Sequence, residues 1–147
     1  MNMDFFEAIR AGNRQEVERL LLMDPGLIHA RQKGLSPVLV AAYHLEPQLA
    51  DFLADKIVTL TVFEAAATGR TTHLVRLLAR QPELVNAFSD DGFQPLGLAC
   101  FFGHYDAAEY LVKAGASINT PSNNELSAAP LQSAAAANHP GIVRMLL

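Results

Sequence analysis

The sequence predicts an all-α solenoid, a stack of helix-turn-helix units joined by short β-turn fingers, and three observations predict it. The first is self-similarity. Residues 6–30 recur at 63–87 with an offset of 57: Phe6, Glu7, Ala8, Gly12, Arg19, Leu20, Leu21, Pro25 and Ala30 fall on Phe63, Glu64, Ala65, Gly69, Arg76, Leu77, Leu78, Pro82 and Ala87. "SPVLVAAYH" (36–44) falls on "QPLGLACFF" (94–102) at an offset of 58, and "APLQSAAAAN" (129–138) follows 35 further on. The second observation is the period. The first small residue of each copy is Ala8, Ala41, Ala65, Ala99 and Ala134, with spacings of 33, 24, 34 and 35. Units of this length hold two helices that cannot bury their own apolar face, so they must stack. The third is punctuation by proline and glycine at matching places in the copies.

Taken in order, the copies occupy 4–29, 30–60, 61–86, 87–119 and 120–147, within one repeat domain over 1–147. Each full unit reads as a turn, a proline, a short Ala- and Leu-rich helix, a Gly or polar break, a second helix ending in a Leu pair, and a loop ending in a polar residue. Pro37, Pro95 and Pro130 mark starts of first helices, where the missing N–H has no intrahelical partner to lose. Gly12, Gly69 and Gly103 supply a permissive backbone at the ends of first helices. Ala41-Ala42, Ala65-Ala66 and Ala134-Ala135 let first helices approach closely, while Leu20-Leu21, Leu77-Leu78 and Leu146-Leu147 fill the layer of the second helices.

The fourth copy carries a family resemblance. Asp91-Gly92-Phe93-Gln94-Pro95-Leu96-Gly97-Leu98-Ala99-Cys100-Phe101-Phe102-Gly103-His104, closing on Lys113-Ala114-Gly115-Ala116-Ser117-Ile118-Asn119, resembles the ankyrin repeat, whose hallmarks are Thr-Pro-Leu-His, Leu-Ala-Ala and a later Gly-His. The resemblance covers essentially the whole chain and implies an ankyrin-repeat solenoid. It also shows where the chain departs from the pattern. The motif's Thr and His, which in the family tie each finger to its helix, are replaced by Ser36 and Leu39, Gln94 and Gly97, and Ala129 and Gln132. Only Ser36 keeps a capping hydroxyl, and each lost cap should cost about 1 kcal/mol. The spacing of 24 leaves no room for a finger between the second and third copies, so their helices should be joined directly. The apolar end Met145-Leu146-Leu147 calls for a following repeat, a polar cap, or a second molecule through self-association.

Composition narrows the function classes. Half of the 147 residues are hydrophobic and 18% are charged, which suits a folded domain. A net charge of −4 with scattered basic residues gives no footprint for nucleic acid or an anionic membrane. No stretch has the length of a membrane span and the start lacks a basic leader region, so a cytoplasmic location is expected. The single cysteine, Cys100, reads as a small core residue.

Chemistry is not visible. His29, His44, His73, His104 and His139 include no pair at ligand spacing, and His104 and His139 share one repeat position, which reads as scaffold. Asp90-Asp91 before Gly92 suits a turn. Phosphate loops, Cys pairs and nucleophile elbows are absent, so no enzymatic activity, metal or cofactor is expected.

In the ankyrin family the partner-binding face is built from finger tips and the two variable residues ending each first helix. Here those are Arg10 and Ala11, Tyr43 and His44, Ala67 and Thr68, Phe101 and Phe102, and Ala136 and Ala137. The fingers add Arg31, Gln32 and Lys33 on the second copy and Phe88, Asp90, Asp91 and Phe93 on the fourth. The resemblance therefore implies a protein-interaction scaffold whose binding residues are Tyr43, His44, Asp90, Asp91, Phe93, Phe101 and Phe102, with an unidentified protein as partner. For Phe101 and Phe102 two roles stand side by side: contact with that partner, or filling the gap left by the missing finger. A second function stands beside the first, a regulatory or targeting domain of a longer protein whose activity lies beyond residue 147.

Overall fold

The computed structural model describes residues 4–147. Their chain divides into two compact units, one ending at Thr59 and one running from Leu60 to Leu147. Both are all-α, and among the described residues the extended pairing is confined to an isolated bridge between Gln32 and Leu35.

The first unit holds α1 (Phe5–Arg10), α2 (Arg14–Met23), α3 (Pro37–Tyr43) and α4 (Pro47–Ala54). Each helix starts where the sequence offers a cap or a proline. Asp4 Oδ1 accepts from the Glu7 amide at 2.9 Å, Asn13 Oδ1 from Glu16 at 3.2 Å, and Ser36 Oγ from Leu39 at 3.3 Å. The bond from the Glu7 amide holds the Asp4 carboxyl below its ordinary range. Helix α1 packs on α2 and α3, and α3 on α4. Ala8, Ile9, Val17, Val38, Ala41 and Leu53 have no exposed surface and form the core. Between α2 and α3 a short 3₁₀ turn over Pro25–His29 leads to the first observed finger. There Gln32 and Leu35 exchange both backbone hydrogen bonds at 3.0 Å around Lys33 (φ 53°) and Gly34 (φ 79°). Two consecutive positive φ values make this the tight turn favoured in hairpins.

Residues 55–61 then lead to the next helix without a finger and without β-structure. The second unit holds α5 (Val62–Ala67), α6 (Thr71–Arg80), α7 (Pro95–Phe101), α8 (Tyr105–Lys113), α9 (Pro130–Ala136) and α10 (Pro140–Leu146). Helices α5, α7 and α9 pack in one row, and α6, α8 and α10 in a second. Leu74, Leu98, Ala99, Cys100, Leu111 and Ala134 lie at or below 2% exposure between the rows. Burying a leucine side chain fully is worth about 2 kcal/mol, so the stack is held chiefly by these contacts. Ala135, expected beside Ala134 in the packing, is exposed, and Leu147 at the chain end is 87% exposed.

The first helices are capped differently from copy to copy, and the third copy, where Thr61 precedes the helix, keeps a capping hydroxyl as Ser36 does, contrary to the expectation that Ser36 alone would. Helix α5 starts with a complete capping box: Thr61 Oγ1 accepts from Glu64 N at 3.1 Å while Glu64 Oε1 accepts from Thr61 N at 2.9 Å. At α7 the buried Gln94 has no cap bond to its own helix; its Nε2 donates to the Asn86 carbonyl at 2.9 Å, tying the preceding loop to the helix start. At α9 Gln132 Oε1 accepts from the Ala129 amide at 2.8 Å. The expected cost of the missing hydroxyls is therefore partly offset by amide side chains. Asn86 adds a further tie, accepting from Ser117 N at 2.8 Å and donating to the Gly115 carbonyl at 3.2 Å.

Candidate functional site

Each helix pair turns on one residue in the left-handed region: Gly12, Leu45, Gly69, Gly103 and Asn138, with φ between 57° and 78°. The residue after this turn reaches back over the preceding copy within its unit. A Cβ on Gly69 would sit 2.5 Å from His104 Nδ1, and one on Gly103 would strike the His139 ring. His104 Nε2 donates to the Ala67 carbonyl at 2.9 Å, and His139 Nε2 donates to the Phe101 carbonyl at 3.0 Å. A carbonyl can only accept, so each nitrogen carries its proton there. These two histidines are scaffold, and they fix the ends of α5 and α7.

Phe101 thus has a pinned backbone and a ring that is 41% exposed. The half-buried Phe102 ring meets it edge-on, with centroids 5.0 Å apart at 88°. Such a pair contributes about 1 kcal/mol beyond its buried area, which favours this orientation of the exposed ring. An exposed aromatic braced in this way has less side-chain freedom to lose on any contact it makes.

In the fourth finger Gly92 N donates to the Ser89 carbonyl at 2.9 Å and Ser89 N to the Phe93 carbonyl at 2.8 Å. Asp91 Oδ1 accepts from Ser89 Oγ at 2.5 Å, so this carboxylate closes its own turn, whereas Asp90 is exposed at the tip. Phe93 is half-buried and Phe88 is 43% exposed. The fifth finger clasps the fourth: Asn123 N donates to the Gly92 carbonyl at 2.7 Å and Asn124 Nδ2 to the Asp91 carbonyl at 3.0 Å. Gly92, at φ 87°, lies so close to the Asn123 carbonyl that no side chain fits.

The other two expected residues lie in the first unit. Tyr43 and His44 line an open cleft of about 330 Å³ together with Arg10, Gln32, Lys33, Leu35 and Val40. Arg10 Nη1 donates to Gln32 Oε1, joining the end of α1 to the finger. Sequence reasoning placed Arg10 at a variable helix end and Gln32 and Lys33 on a finger. It did not bring them to one cleft, since the bond spans 22 residues, and it missed the wall made by Leu35 and Val40.

Among the described residues no group of three or more His, Cys, Asp or Glu could hold a metal ion. Cys100 is fully buried, and burial pushes its thiol up to about 12, so it remains a protonated thiol at neutral pH. No helix among these residues is long and apolar enough to cross a membrane.

The family model for ankyrin repeats in three copies matches residues 58–122, and that for ankyrin repeats in many copies matches residues 99–147. The chain belongs to the ankyrin-repeat family. No curated protein matches it. Ankyrin repeats are in general protein–protein interaction modules, and ankyrin domains are typically non-catalytic.

Proposed function

We propose that this chain is a cytoplasmic ankyrin scaffold, a single array over residues 1–147, that binds a protein partner and performs no chemistry of its own. In the second unit the contact residues are Phe101 and Phe102, with Phe93, Asp90 and Asp91 from the fourth finger; in the first they are Tyr43 and His44. The observation that carries the proposal is the Phe101–Phe102 pair: an exposed ring, braced edge-on by its neighbour, on a helix end held by His139. Exposed aromatics of this kind are enriched where proteins meet. Affinity capture from the native cell extract with the wild-type chain and a Phe101→Ala/Phe102→Ala variant tests it. A partner retained by the wild type and lost by the variant is the expected result. Equal retention by both chains would remove the aromatic pair from the binding face.

A further inference from the structure

We infer, on the protein-binding reading above, that the cleft of the first unit receives an acidic segment of the partner, one in which a carboxylate side chain stands beside an apolar one. The cleft has the matching chemistry. Its lining includes two cations, Arg10 and Lys33, the imidazole of His44 and the phenol of Tyr43, and no carboxylate; Leu35 and Val40 form its apolar wall. This is a local positive site in a chain of net charge −4.

Arg10 is set apart from two other arginines of its unit. Arg14 pairs with Glu18 at 3.1 Å, and Arg19 pairs with Glu16. Arg10 instead donates through Nη1 to a neutral amide oxygen, which orients the guanidinium without cancelling its charge. Asp4, at the other end of α1, feels the Arg10 charge, but its carboxylate is engaged first by the Glu7 amide, and the Glu46 carboxylate lies over Gly12 outside the cleft lining. The bond through Nη1 leaves the other edge of the guanidinium for a planar carboxylate, which such a fork recognises well. The backbone of Lys33 is set by the tight turn it shares with Gly34, which places its side chain at the cleft. At about 330 Å³ the cleft has room for one or two side chains rather than for a folded element.

An inorganic anion would share the carboxylate's charge but not its apolar neighbour, and the test separates the two. A fluorescein-labelled peptide of alternating Glu and Leu is titrated with the whole chain and followed by anisotropy, beside the same peptide with Gln for Glu, with inorganic phosphate as competitor. The Glu peptide should bind about tenfold more tightly than the Gln peptide, and Lys33→Glu or Arg10→Gln should each weaken it about tenfold. Arg19→Gln, on the far-paired arginine, should leave it unchanged, and added salt should weaken it. No binding, equal binding of the two peptides, indifference to Lys33→Glu, or displacement by phosphate as effective as by unlabelled peptide would each overturn the inference. Should this happen while partner capture still depends on Phe101 and Phe102, the acidic-segment inference alone falls; should capture be indifferent to them as well, the protein-binding role of that pair falls with it.

Discussion

The two units solve one steric problem with two chemistries. In both, a left-handed glycine ends a first helix and the next copy covers it, because no Cβ stands in the way. In the second unit the covers over Gly69 and Gly103 are the His104 and His139 rings, and each imidazole also donates to a helix-end carbonyl. In the first unit the cover over Gly12 is the Glu46 carboxylate, which has no proton to donate. The slot is therefore a property of the repeat, whereas the bond across it depends on which residue fills it. The first unit gains a different cross-link, from Arg10 to Gln32, and that link lines a cleft instead of bracing an aromatic.

The largest expected effect tests whether the imidazole bond matters. Gly103→Ala puts a side chain at φ 78° and into the His139 ring, so it should cost about 2–3 kcal/mol: roughly 1–2 for the left-handed backbone and about 1 for the displaced bond to Phe101. Gly12→Ala meets only the end of a flexible glutamate and should cost about 1–2 kcal/mol, the backbone share alone. Urea titration of both variants gives the difference. Cys100 offers a second readout, since its buried thiol should react with a thiol reagent only as its surroundings open. Labelling of Gly103→Ala should be about 30-fold faster or more than that of the native chain. Equal costs for the two variants would mean that the histidine only fills space.

A smaller effect concerns the copies that lack glycine at this turn. Asn138 (φ 61°) tolerates the left-handed region because its amide can bond locally, but Leu45 (φ 57°) has no such excuse and is 71% exposed. Leu45→Gly should therefore raise stability by about 1 kcal/mol, seen as a higher urea midpoint. A lower midpoint would show that the leucine contributes packing its exposure does not reveal.

The repeat itself was legible because it depends on local residues. Ala8, Ala41, Ala65, Ala99 and Ala134 gave the period, Pro37, Pro95 and Pro130 begin their helices, and Gly12, Gly69 and Gly103 are left-handed where the chain turns. Thr61 and Glu64 also follow the spacing of a capping box, a signal present in the sequence and overlooked. What lay beyond reach were pairings between copies. The bonds of His139 to Phe101 and of Gln94 to Asn86, the clasp of Asn123 on Gly92, and the meeting of Arg10 with Gln32 all depend on how one unit of sequence is stacked on another. The same limit applies to the candidate site. Variable positions could be named from the repeat register, but the cleft that gathers Arg10, Lys33, Tyr43 and His44 follows from stacking.

The smallest effect would convert one unit's chemistry into the other's. Ala67 and Phe101, whose carbonyls accept from His104 and His139, each lie two residues before the left-handed glycine, and the equivalent residue before Gly12 is Arg10. Glu46 already occupies the covering position over Gly12, so a histidine there needs no new space. Glu46→His should donate through Nε2 to the Arg10 carbonyl and stabilise the chain by about 0.5 kcal/mol, the low end for a hydrogen bond because the position is half-exposed. Glu46→Gln is the control: it removes the charge and adds a donor, but without the ring that sets the donor's reach. A gain with histidine and none with glutamine would show that the imidazole geometry makes the link. A gain with both would assign the effect to loss of the carboxylate charge, and a loss with histidine would show that the first unit's slot is shaped for glutamate.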